Sequence, residues 1–195
     1  VTLNIIKKEK YKEEAMLSGL YDVLGFFIDL FMGKYSQFYL IVFILIIVLA
    51  AIIDLFISIG SKKSENKLLL FIKSLGIHFV GIIVFCGILL FINRMLTFIP
   101  FFHINSQSEE LMGLTGITLY LSLLFVLFVG LFFMKMRGHK FFHVVIQFFI
   151  AIAIFYIGTL LLNFSVPFNI PVILADIAIV VLIGNVLLEY IEKVD

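Results

Sequence analysis

Charge is scarce in this sequence. Only 14% of its 195 residues are Asp, Glu, Lys or Arg, against about a quarter in a soluble domain. The net charge is +1, so no basic face is available for nucleic acid and no long-range field draws an acidic partner. There is one cysteine, Cys86, which excludes an internal disulfide and a cysteine-based zinc site. Trp is absent and Pro occurs three times. No Gly/Ser linker, charge block or low-complexity tail interrupts the chain. What fills it is apolar: 63% hydrophobic residues and a mean hydropathy of +1.22. That is too little charge for a water-facing surface and too much apolar side chain for one core, which excludes a soluble globule and a disordered chain. The fold class expected is all-α, a polytopic helical membrane bundle forming one membrane-embedded domain over residues 1–195.

Crossing about 30 Å of hydrocarbon takes a helix of roughly 20 apolar residues. Five stretches meet this: 38–58, 68–92, 111–134, 141–163 and 170–190. Runs such as Ile41 to Leu49 do not alternate polar with apolar, so helices rather than barrel strands are predicted. A sixth stretch, 15–33, is apolar but carries Asp22 and Asp29. It lacks the small-residue cleavage site of a signal peptide and the basic polar face of an interfacial helix. Ala15, Ser18, Asp22, Gly25, Asp29 and Gly33 fall on one helical stripe, which predicts a membrane helix turning that stripe to its neighbours and the rest to lipid.

Basic residues decide between five and six spans. Five spans divide Lys and Arg six against eight, nearly without bias; six divide them twelve against two, Lys34 and Arg94. Since cytoplasmic loops carry the excess, six spans with both termini cytoplasmic are expected, with five as the fallback. The chain then reads as three hairpins, and the connection 93–110 lies outside.

Intramembrane polar residues are costly to insert and usually pair, so they are the candidate functional positions. Asp54 and Lys73 lie at similar depth on consecutive spans and are expected to form an ion pair, or to be separated by Lys73 snorkelling to the interface. Asp29 and Asp176 fall in the outer half, near Arg94, where two carboxylates can share a proton. His139 and His143 have a metal-ligand spacing but no third ligand in sequence; with Gln147 they continue along one face, where Gln147 is expected to bond between helices. His78 and Cys86 are eight residues apart on one helix, about 12 Å of rise, too far for a catalytic pair. Ser74, His78 and Gly81 instead form a small polar stripe, and Cys86 reads as a packing residue. Thr115, Thr118 and Ser122 share a face and suggest inter-helix hydrogen bonds. Spans one, three and five carry the most polar inner faces.

No phosphate loop, nucleophile elbow or filter-like repeat is present. A non-enzymatic membrane protein without cofactor is therefore expected, one that binds within the bilayer as a regulator, an immunity factor or an accessory subunit. The alternative is a transporter or channel component using Asp22, Asp29, Asp54 and Asp176. The expected partners are the lipid bilayer and another membrane protein or a second copy. Lys over Arg, with abundant Phe and Ile, points by composition to a bacterial cell membrane.

Overall fold

The computed structural model describes residues 21–60, 66–105, 108–134 and 140–194. These residues are helical apart from turns and one isolated bridge. The helices are α1 (residues 21–31), α2 (Gln37–Gly60), α3 (Lys67–Leu96), α4 (Glu109–Met134), α5 (Lys140–Leu162) and α6 (Ile170–Val194). α2 to α6 are each long and apolar enough to cross a membrane, and their bounds lie within a few residues of the five apolar runs. Side-chain oxygens of Ser36, Asn66, Ser108 and Asn169 accept from backbone N–H groups in the first turns of α2, α3, α4 and α6. Glu109 and Glu110 open α4, where the helix dipole favours negative charge.

Two helices stop by the same device. Gly33 at φ 72° closes α1, with Lys34 N–H bonded to the Asp29 carbonyl and Gly33 N–H to that of Leu30. Asn163 at φ 49° closes α5, with Phe164 N–H on Thr159 and Asn163 N–H on Leu160. A left-handed residue lets these amides recapture the last carbonyls, and Gly and Asn tolerate that conformation best. Beyond α5 the loop meets the α3–α4 connection: Asn105 N–H bonds Pro167, and Asn169 N–H bonds His103. Phe98, Ile99 and Phe101 stay exposed beside this junction, an apolar fringe at one end of the bundle.

The centre of the bundle is α4. Its apolar span is 67% buried, whereas those of the other four span-length helices are 22–33% buried. α2, α3, α5 and α6 all pack on it. Small residues let them come close: a Cβ on Gly116 would lie 2.6 Å from Cys86 Sγ, and one on Gly184 of α6 the same distance from Val126. The inner face richest in small and polar residues is thus that of α4, rather than those of spans one, three and five. Large apolar side chains such as Leu45, Ile77, Phe149 and Leu182 stay outside, each 60% or more exposed. In water that surface would aggregate; against lipid tails it is matched.

α1 departs from expectation in two ways. Its buried stripe is Val23, Phe26, Phe27 and Leu30, not the small polar one. Asp22, Gly25 and Asp29 flank it at half burial, while Ala15 and Ser18 lie outside the described residues. Phe26 rests on Gly113 of α4 and stacks on Tyr35, and Phe27 and Phe31 pack against Phe43 of α2. Direction is the second departure. Asp22 pairs with Arg94, two residues before the end of α3, whereas Phe31 packs on Phe79. Those two α3 positions are about 22 Å apart along the axis. As α1 proceeds it therefore moves back along α3. A six-span up-and-down bundle has these helices run the same way, whereas over the described residues the contacts run them in opposite directions.

Candidate functional site

The most extended polar cluster joins three helices. Asp54 sits on α2 about one and a half turns from its end. Ser74 and His78 are one turn apart on α3 and turn to the same side. Asp54 Oδ2 accepts from Ser74 Oγ at 2.5 Å and lies 2.8 Å from His78 Nε2. The other ring nitrogen, Nδ1, is 2.7 Å from Tyr120 Oη on α4. With Nε2–H donating to the carboxylate, Nδ1 accepts the tyrosine proton, so each polar atom of the imidazole is used. Side-chain exposure falls inward, from 40% at Asp54 to 14% at His78, and Tyr120 is buried. The line ends against the ring of Phe85, edge-on to Tyr120. It can hold a proton or orient a donor, and it stops in apolar packing.

Lys73 is not in this cluster. It is exposed, and Asp54 takes Ser74 and His78 instead. One residue along a helix rotates the side chain by about 100°, so a carboxylate facing Ser74 cannot also face Lys73. His78 likewise has no role beside Cys86, which is buried against Gly116.

The remaining acids sit with separate partners. Asp22 pairs with Arg94, both partly buried. Asp29 pairs with Lys34 at 2.6 Å. Asp176, fully buried, accepts from Asn93 Nδ2 at 3.0 Å. Asp29 and Asp176 thus do not share a proton; each has its own partner on a different element. Gln147, buried, accepts from Asn185 Nδ2 at 2.8 Å across α5–α6. Thr115, Thr118 and Ser122 each bond back to a carbonyl four residues earlier on α4 rather than across to a neighbour. His143 lies in the first turn of α5, and His139 falls outside the described residues. Among the described residues no three His, Cys, Asp or Glu side chains are grouped to hold a metal.

Between α3, α4 and the loop before α6 lies a cavity of about 10 Å³, lined by Cys86, Asn93, Thr115, Gly116 and Phe168 among others. It has room for about one water.

Sequence reasoning missed Asn93, Tyr120 and Asn185. Asn93 fell in the expected turn after residue 92, but α3 continues to Leu96 and carries it inside. Tyr120 had a signal, since a buried tyrosine hydroxyl needs a partner. In the turn between α1 and α2, burial raises the Tyr35 hydroxyl above its ordinary pKa of 10.0, with Asp29, Glu109 and Glu110 adding to the effect. Comparison with protein-family models, curated proteins and solved structures finds no match to this chain.

Proposed function

We propose that the chain is a non-enzymatic, multi-pass protein of a bacterial cell membrane that acts by binding another membrane protein, or a second copy, within the bilayer. It serves there as a regulator or accessory subunit. One observation carries this reading: Asp22, Asp29, Asp54 and Asp176 each engage a local partner, at separate places. A transport path would instead gather its carboxylates on one water-filled cavity. The broad apolar faces of α5 and α6 suit contact with lipid or another helix. Composition supports the bacterial setting.

The topology that fits the course of α1 has five crossing helices, with the C terminus cytoplasmic and α1 seated against the outer ends of α3 and α4. A reporter at the N terminus is then external; a cytoplasmic signal restores the six-span arrangement. The functional reading is tested in proteoliposomes under proton, sodium and potassium gradients. It expects no protein-dependent flux, together with discrete crosslinks to one membrane partner or to itself from lipid-facing positions of α6. Flux that Asp54→Asn abolishes would overturn it.

A further inference from the structure

The Asn93–Asp176 contact is half made. Asn93 Nδ2 donates to Asp176 Oδ2. The other two oxygens, Asn93 Oδ1 and Asp176 Oδ1, are completely buried and have no hydrogen-bond partner. Both are acceptors, so neither can serve the other. Turning the amide over exchanges the oxygen that is served and leaves the same deficit. A buried charge also needs a counter-charge, and among the described residues Asp176 has none. Of the charged and titratable groups on helices packed against α6, Arg94 is engaged by Asp22 and Tyr120 by His78. On α3, Lys67, Lys73 and His78 lie toward the opposite end, and Cys86 is against Gly116. Glu109 and Glu110 are in the first turn of α4, His143 is in that of α5, and Glu189 is in the last turns of α6.

We propose that Asn93 and Asp176 form a buried proton-binding site. Asp176 is held as the carboxylic acid, with its Oδ1–H donating to Asn93 Oδ1 and closing a two-bond ring between α3 and α6. A single proton supplies the missing donor and removes the buried charge together. It also needs no space. A water or sodium ion in the adjacent cavity reaches Asn93, but Asp176 is not among the lining residues, so such a guest leaves the carboxylate unserved. α3 and α6 otherwise pack only lightly, which makes this ring a latch between them. Loss of the proton sets a buried carboxylate against an amide oxygen and opens it.

Infrared spectroscopy of the protein in lipid vesicles tests the site, with Asp176→Asn as the reference. The wild type is expected to show a protonated-carboxyl C=O band near neutral pH that is absent in Asp176→Asn and displaced in Asn93→Leu. Asp176→Asn is expected to melt within a few degrees of the wild type, because two amides make the same reciprocal pair. Three results would overturn the proposal: no difference band, a large loss of thermal stability in Asp176→Asn, or stabilisation by sodium over choline that this substitution removes.

Discussion

The two best-defined polar clusters of this bundle solve the same problem differently. Around Asp54 the carboxylate is two-fifths exposed and accepts two bonds, and its histidine partner is itself served on both nitrogens. Around Asp176 the carboxylate is fully buried and has one partner, Asn93, whose own amide oxygen has none. The first cluster has partners to spare, since Asp54 keeps one bond if the other is lost. The interior of the second does not, because an unsatisfied buried group loses its hydration without replacement. The lesson is that burial and partner count together decide what an intramembrane acid can do, and neither is visible from its position in an apolar run.

Breaking each cluster should show the difference. Asn93→Ala removes the only hydrogen-bond partner of Asp176 among the described residues and leaves a void between α3 and α6. It is expected to cost about 2–3 kcal/mol, read as thermal or denaturant unfolding in detergent micelles. His78→Ala is expected to cost less, about 1–2 kcal/mol. It strands the Tyr120 hydroxyl, but Asp54 keeps Ser74. The reverse order would mean that the more exposed cluster carries the structure. The smallest effect belongs to a group at the aqueous edge. Tyr35 should release its proton later than an ordinary tyrosine, as a late component in an ultraviolet base titration that Tyr35→Phe removes. The sign follows from the raised folded value. The neutral phenol supports the fold below the ordinary pKa of 10.0, and that support is lost as pH climbs through the higher folded value.

The five helices long and apolar enough to cross a membrane were legible because length and hydropathy are local properties, and the bounds of α2, α4, α5 and α6 fall near the ends of their apolar runs. α3 was read short, since Asn93 and Arg94 look like a turn; each is instead held by a residue on another helix, Asp176 and Asp22. Which partner Asp54 takes was half legible. Its level relative to α3, opposite residues 73 and 74, agrees with the Ser74 contact, and the Ser74–His78 stripe could be traced on α3. The choice between Lys73 and that stripe depends on helix rotation, which only packing fixes. The course of α1 was not legible at all. Charge counting carries no information on helix contacts, whereas the direction of α1 is set by two distant ones, Asp22 with Arg94 and Phe31 with Phe79. Tyr120 joins the site through a separation of 42 residues from His78, beyond any local pattern.

The central claim is that the intramembrane acids are held separately by local partners. A double-substitution cycle tests it most directly, combining His78→Ala with Asn93→Ala in the folded, detergent-solubilised protein. Independent sites give additive losses within about 0.5 kcal/mol, and that is the result expected. A coupling of about 1 kcal/mol or more would mean that the two clusters act as one connected network, and would contradict the account.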